Sequence, residues 1–249
     1  MERRQSKVKV LVIGDSCEDV FIYGNITRVA PEAPVPVVVP VRQESNPGMA
    51  GNVVANLEVL GAEVDILTNE ELIRKIRYVD ERYNQMVLRV DENDQCEAYK
   101  GPYETTGYDI VIISDYNKGF LNEKDIAAFA ERAECPVFMD TKKQLGEWCM
   151  GVDYIKINSL EHEKNFEQLP KYPQLYEKLI VTMGKKGCIY QNKTYPTKEV
   201  PVRDVSGAGD TFLAGLVYEY AQSLSIEKAI EFAQECTISV VQKSGVATV

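Results

Sequence analysis

Asp204-Val205-Ser206-Gly207-Ala208-Gly209-Asp210-Thr211 separates a polar, proline-bearing segment (Pro196, Pro201) from an apolar run, Phe212-Leu213-Ala214-Gly215-Leu216-Val217-Tyr218. The apolar run predicts a buried helix. A Gly-Ala-Gly turn that opens a helix leaves backbone N–H groups unpaired, with the positive end of the helix dipole behind them. Gly207, Ala208 and Gly209 are therefore a candidate anion hole. Asp210 at its rim does not suit a simple anion site, because a carboxylate repels phosphate. It suits a general base that takes the proton from a hydroxyl attacking a phosphoryl group. The plain alternative is an ordinary glycine-rich loop with Asp210 serving the helix dipole.

On both sides of this turn, apolar strand-like runs and helical patterns follow one another. Residues 110–115, 136–140, 154–157 and 179–183 predict strands, residues 188–191 an antiparallel strand, and residues 123–133, 211–221 and 226–241 helices. Residues 7–13 predict a first strand that ends in Gly14-Asp15. This alternation predicts an α/β fold with a mostly parallel sheet covered by helices on both faces. No repeat, low-complexity tract or separating linker interrupts it, so residues 1–249 are expected to form a single domain.

Between residues 20 and 100 the pattern differs. Pro31, Pro34, Pro36 and Pro40 exclude a central strand around residues 35–41 but allow an edge or protruding one. Residues 53–61 suit a helix closed by Gly61. Residues 64–67, 76–79 and 86–91 predict short strands. Together with residues 35–41 these are expected to form a small sheet standing off the body as a lid, with its strands within 20–43 and 74–100.

Polar groups recur at the carboxyl ends of the predicted parallel strands, where an open α/β sheet keeps its ligand contacts. Asp15 and, four residues on, Asp19 could face a ligand or cap a turn. Asn52 could cap its helix or hold a sugar hydroxyl. Asn158-Ser159-Leu160-Glu161 could be a capping box, could place Glu161 near a hydrated magnesium ion, or could do both. Thr182-Met183-Gly184-Lys185-Lys186-Gly187 is a glycine-rich turn that lets backbone approach a nucleotide. Ser114-Asp115-Tyr116-Asn117-Lys118-Gly119 and Asp140-Thr141-Lys142-Lys143 end two further strands. Gly-x-x-x-x-Gly-Lys-Ser/Thr is absent, as is any strand-associated Gly-x-Gly-x-x-Gly, which argues against P-loop and dinucleotide sites.

The composition narrows the function classes. With 45% hydrophobic and 27% charged residues the chain is of soluble globular type, and its apolar runs are too short to cross a bilayer. The net charge of −10 argues against a nucleic-acid groove. The single His162 lies among Glu161, Glu163 and Lys164, which removes His-based triads and zinc spacings. Six scattered cysteines are expected to be free thiols in a reducing compartment. The opening Met1-Glu2-Arg3-Arg4-Gln5-Ser6 shows no cleavage site, so the expected location is cytoplasmic.

On Gly14-Asp15, Pro47-Gly48-Met49-Ala50-Gly51-Asn52, Asn158-Ser159-Leu160-Glu161 and above all residues 204–211, the chain resembles the ribokinase-like (PfkB) family of sugar kinases. Within that family it looks most like bacterial kinases of D-glycero-D-manno-heptose 7-phosphate, on residues 28–37, 114–119 and 245–249. The resemblance implies a three-layer αβα sandwich with a small β lid that in many relatives also pairs two subunits as a homodimer. It implies ATP and Mg2+ as cofactors and a sugar phosphate as substrate, with no nucleic-acid or membrane partner. Asp210 would be the catalytic base and the amides of Gly207 to Gly209 the anion hole. Asn158 and Glu161 would form the magnesium and phosphate region, and Thr182, Gly184 and Gly187 part of the nucleotide site. Asp15, Gly48 and Asn52 would hold the sugar; Arg28, Arg89, Lys118 and Lys142 are candidate partners for its phosphate. Two rival readings stand beside this one: a ligand-binding relative without turnover, and a kinase for an unphosphorylated sugar or a nucleoside. Two departures from the family pattern bear on them. Relatives usually carry Gly-Gly at Gly48-Met49, and only Asn69-Glu70-Glu71-Leu72-Ile73-Arg74-Lys75 stands where about another strand and helix are usual.

Overall fold

The computed structural model describes residues 7–243 and 245–249; the opening segment 1–6 lies outside the described residues. β1 (Lys9–Gly14) runs almost directly into β2 (Ser16–Val29), which turns back through β3 (Pro36–Met49) into α1 (Ala50–Leu60). Then follow β4 (Glu63–Leu67), β5 (Arg74–Asp80), β6 (Gln85–Glu92), β7 (Ile110–Asp115), α2 (Glu123–Arg132), β8 (Val137–Thr141), β9 (Tyr154–Asn158) and α3 (Ser159–Lys164). The chain closes with β10 (Leu179–Thr182), β11 (Cys188–Tyr190), β12 (Lys193–Tyr195), α4 (Ala208–Ser223) and α5 (Ile226–Val241).

Eight strands make the main sheet in the order β12-β11-β10-β9-β8-β7-β1-β4. All neighbours from β10 to β4 pair in parallel, and β11 and β12 close one edge antiparallel. Alternate side chains of each central strand go to opposite faces. Val10, Val12, Ile110, Ile112 and Phe138 pack with α1, α4 and α5. Leu11, Ile13, Val111, Ile113 and Met139 pack with α2 and the short turns after β8 and α3. Both faces are covered, which is why these strands read as continuous apolar runs. The result is the expected three-layer αβα sandwich.

The second sheet has the order β3-β2-β5-β6. β3 is an edge strand and so tolerates Pro36, Pro40 and Pro47. Two expectations need correction. Residues 64–67 do not join this sheet: as β4 they pair in parallel with β1 at the edge of the main sheet, because the α1 crossover returns the chain to the body. The second sheet is instead built on β2, a strand the sequence pattern did not reveal, which pairs with both β3 and β5.

The shortened link from β4 to β5 contains no helix. Asn69 ties it to the root of β2: its Oδ1 accepts from the Ser16 N–H (2.7 Å) and the Thr68 hydroxyl (3.1 Å), and its Nδ2 donates to the carbonyls of Ser16 (3.3 Å) and Glu71 (2.7 Å). Gly61 ends α1 in the left-handed conformation, as expected. The six cysteines are unpaired. No helix among the described residues is long and apolar enough to cross a membrane.

Candidate active site

α4 starts where the sequence predicts an anion hole. Its N-cap, Gly207, has φ 76°, and a side-chain carbon there would lie 2.5 Å from Asn52 Nδ2. Glycine meets both the backbone and the space requirement. No side chain caps this helix. The Ala208 N–H turns back to the Val205 carbonyl at 3.2 Å, so one of the three expected donors is partly committed. The N–H groups of Gly207 and Gly209 have no partner among the described residues.

Asp210 sits in the first turn of α4 with 4% of its surface exposed. Its Oδ2 accepts from Asn52 Nδ2 (3.0 Å) and its Oδ1 from the Tyr116 hydroxyl (2.5 Å). Burial pushes the Asp210 carboxyl above the ordinary carboxylate value, against the opposing pull of these two hydrogen bonds and of Lys156. A buried base with a raised proton affinity is suited to accept a proton from a hydroxyl. Asn52 is fixed in turn: its Oδ1 accepts from Asn56 Nδ2 at 3.0 Å, one helical turn along α1. Its amide is thus spent on holding Asp210, a role other than the helix cap or sugar contact expected of it.

Lys156 on β9 was not singled out from the sequence, although a lysine inside a buried strand is rare unless paired. It is 3% exposed and pairs with Asp140 at the end of β8. A side-chain carbon at Gly209 would stand 3.0 Å from Lys156 Nζ. The ammonium therefore lies against the anion hole. Asp140 also meets Lys142 (3.2 Å), and Lys142 meets Glu161 (2.5 Å). Burial alone would push the Asp140 carboxyl up, but Lys156 and Lys142 outweigh it and hold it below the ordinary value.

The capping box of α3 is present. Asn158 Oδ1 accepts from the Glu161 N–H (2.9 Å), and Glu161 Oε2 accepts from the Asn158 N–H (2.8 Å). With Lys142 on Oε1, both Glu161 oxygens have partners. Among the described residues no group of three or more acidic, His or Cys side chains could hold a metal. This donor set fits a hydrated magnesium ion carried by phosphate oxygens, with Glu161 accepting from one of its waters, and does not fit a closed protein cage.

Thr182, Gly184 and Gly187, expected at a nucleotide, share a cavity of about 120 Å³ with Gly209 and Phe212 of α4 and Thr237 of α5. Gly187 has φ 87°, and a side-chain carbon there would meet the Tyr195 carbonyl at 2.0 Å. The glycine-rich turn and the anion hole thus line one space.

The residues expected around the sugar separate. Asp15 is 1% exposed, and its carboxylate accepts from the N–H groups of Tyr116 (2.7 Å), Lys118 (3.3 Å) and Phe120 (3.3 Å). It shapes the loop after β7. A side-chain carbon at Gly48 would stand 2.1 Å from Asp19 Oδ2, so this glycine makes room for Asp19, which pairs with Arg77 within the second sheet. Arg28 is not brought to the site: it is exposed at the far end of β2, roughly 40 Å of strand beyond Ser16. Lys118 pairs with Asp94 (2.5 Å) and Arg89 with Asp91 (2.6 Å). Met49, with φ 56° and ψ −129°, occupies a backbone conformation that favours glycine, and its side chain is buried with Cys17 and Ile73.

Two residues that sequence reading missed complete the arrangement. Tyr116 reaches Asp210, and its ring lies 5.1 Å from Lys142 Nζ and 5.0 Å from Lys75 Nζ. Lys75, on β5, is 8% exposed and has no carboxylate within ion-pair distance among the described residues. The alternation Lys75-Ile76-Arg77, which puts both cations on one face of a strand, is the signal that could have found it.

A family model described as pfkB family carbohydrate kinase matches residues 105–249, which hold β7 to β12, the anion hole and Asp210. The bifunctional protein HldE of a Nitratiruptor species is 32% identical over 97% of this chain, and that of Campylobacter jejuni 31% identical over 98%. The chain spans 63% of the length of each. Among solved structures, the Methanocaldococcus jannaschii nucleoside kinase matches with a TM-score of 0.70 at 17% identity, covering 96% of this chain and 93% of its own. The Arabidopsis thaliana ribokinase, solved with ribose and ATP, matches with a TM-score of 0.68 at 16% identity, covering 96% and 94%. These two establish likeness of fold, whereas the family model rests on the sequence that carries the candidate base and anion hole. The chain belongs to the pfkB family of carbohydrate kinases.

Proposed function

We propose that this kinase transfers the γ-phosphoryl group of ATP to the anomeric hydroxyl of a sugar phosphate, D-glycero-D-manno-heptose 7-phosphate being the favoured substrate. The observation that carries the reading is the seat of Asp210: a buried carboxylate one residue past Gly209, which lines a cavity together with the Thr182–Gly187 turn. In the proposed reaction the acceptor hydroxyl gives its proton to Asp210 as its oxygen attacks the γ-phosphorus. The bond from that phosphorus to the β–γ bridging oxygen breaks, and ADP leaves. The N–H groups of Gly207 and Gly209 and the Lys156 ammonium face the charge on the transferring group, where fixed donors act most strongly. Magnesium, when bound with the nucleotide, would supply charge neutralisation on the phosphates, and Glu161 would orient its water shell.

The phosphosugar assignment is supported by the resemblance of residues 28–37, 114–119 and 245–249 to heptose 7-phosphate kinases, by the HldE relatives, and by the unpaired Lys75 beside Tyr116. A second reading, an unphosphorylated sugar or nucleoside as acceptor, is favoured by the ion pairs already made by Arg89, Lys118 and Lys142. The test is the ratio of kcat/KM for heptose 7-phosphate to that for the same sugar without phosphate, repeated in Lys75→Ala. A ratio well above one that collapses in the variant supports the phosphosugar, since each charge-assisted contact is worth ~1.5–3 kcal/mol. A ratio near one in both proteins overturns it. Val39, Val41 and Leu88, exposed on the edge strands of the second sheet, support pairing of two chains through that sheet, which sedimentation of the protein and of Val41→Lys would test.

A further inference from the structure

The general base of a kinase has to be kept from water, because water in place of the acceptor turns phosphoryl transfer into loss of ATP. In this chain each oxygen of Asp210 already has a donor, and the residue is 4% exposed. A carboxylate oxygen can accept twice, but with Asp210 this deeply buried an incoming hydroxyl needs the space that one of the two donors fills. Asn52 is the fixed one, since it is bonded to Asn56 in the same helix and lies against Gly207. Tyr116 is held differently. It stands on the loop after β7, next to Asn117 at φ 57°, and its ring packs against the small cluster of Cys17, Met49 and Ile73, with Lys75 Nζ of the second sheet 5.0 Å and Lys142 Nζ of the body 5.1 Å from its centroid. Lys142 is already ion-paired with Asp140 and Glu161, whereas Lys75 has no carboxylate within ion-pair distance among the described residues, so Lys75 is the cation beside the ring that an anionic ligand can draw away.

We propose that Tyr116 is a latch on the general base: with no acceptor bound its hydroxyl fills the space at Asp210 Oδ1 that a reacting hydroxyl must take, and an anionic acceptor releases it by drawing Lys75 off the ring. The inference rests on the reading of Asp210 as the base. The latch makes Tyr116 a positioning residue that controls access and makes Lys75 the sensor of the acceptor. In the unlatched, acceptor-free state a water would give its proton to Asp210 and its oxygen would attack the γ-phosphorus. The bond to the bridging oxygen would break, leaving ADP and inorganic phosphate.

Tyr116→Phe keeps the ring beside Lys75 and removes the hydroxyl. ATP hydrolysis without acceptor is expected to rise roughly tenfold, the size of losing one charge-assisted hydrogen bond on a carboxylate, and the KM for the sugar phosphate is expected to fall. Lys75→Gln keeps the hydroxyl but loosens the ring, and is expected to raise hydrolysis by a smaller factor. The rise has to vanish in the double variant Tyr116→Phe with Asp210→Asn, because it runs through the same base. Hydrolysis unchanged in Tyr116→Phe, or a rise that persists in the double variant, overturns the latch; if Tyr116→Phe does not melt as a folded protein, unchanged hydrolysis in Lys75→Gln does so instead. Asp210→Asn alone separates the two ideas. Transfer that survives in it refutes the base, whereas transfer lost there with no rise in Tyr116→Phe refutes only the latch.

Discussion

Lys156 Nζ lies 3.0 Å from the point where a side-chain carbon would stand at Gly209, so a β-strand lysine and a helix-opening glycine share the wall of the candidate anion hole. Gly209→Ala places a methyl group in that gap. Lys156 has little freedom to retreat because Asp140 holds it. Alanine favours the helix, so the fold is expected to survive with an unchanged or slightly raised Tm. Turnover is expected to fall ~10²-fold or more, as when one oxyanion donor is lost. Steady-state rates and a melting curve on the same preparation check both halves, and near-normal turnover would place the phosphoryl group elsewhere.

Asp210→Asn is expected to lower kcat ~10²–10⁴-fold, the usual worth of a general base. The same substitution is expected to raise Tm at neutral pH. Burial lifts the folded-state pKa above the ordinary 3.8, so between these values the folded protein holds a proton that the unfolded chain has released. Stability therefore falls as pH rises through that window and stays lower above it. Asparagine removes this cost and keeps both contacts, accepting from Asn52 and donating to the Tyr116 oxygen. The Tm difference should shrink as pH is lowered toward 3.8, and a variant that melts lower than wild type at pH 7 would contradict the argument. In the wild-type enzyme, kcat/KM should begin to fall on the acid side at a pH above 3.8.

Glu161→Gln retains an oxygen for the Asn158 N–H but loses the charge facing Lys142. A stability cost of about 1 kcal/mol is expected, since the pair is only partly buried. The magnesium concentration for half-maximal rate should increase, because a neutral amide orients the hydrated ion less well. An unchanged magnesium dependence would leave Glu161 as a helix cap and nothing more.

Asn69→Ala removes four hydrogen bonds, two that fasten the short β4–β5 link to Ser16 and two within the link, to Thr68 and Glu71. The expected loss is ~1–3 kcal/mol, because the Ser16 amide is left without its partner. The KM for the sugar should rise while that for ATP stays put, since Asn69 lies at the root of the second sheet and the nucleotide turn is on the far side of β9. Equal changes in both constants would indicate general loosening.

Much of the architecture was legible. The runs at β1 and β7 are apolar on both faces, the signature of central parallel strands, and Gly-Ala-Gly-Asp announced the opening of α4. β2 was hidden because Cys17-Glu18-Asp19 carries two acids where a strand usually shows apolar alternation; these acids serve Arg74 and Arg77 on β5, partners that no local pattern reveals. A short strand such as β4 declares itself but not its neighbours, which is how it came to be expected in the wrong sheet. The site was legible where the chemistry is local, at Gly207, Asp210 and the Asn158–Glu161 box. It was not legible where it depends on residues far apart in the chain: Asn52 and Tyr116 lie 158 and 94 positions from the carboxylate they hold.

Asp15 contacts the Tyr116 loop on one side and is the single residue between β1 and β2 on the other. In mechanical terms it is a fulcrum shared by two levers. A tilt of the second sheet about its root would pull on the same carboxylate that sets the height of the Tyr116 loop, so the sheet expected to cover the acceptor and the side chain proposed to guard the base are geared together at one buried residue. A substitution such as Asp15→Asn would act less like damage to a binding site than like slack in a linkage.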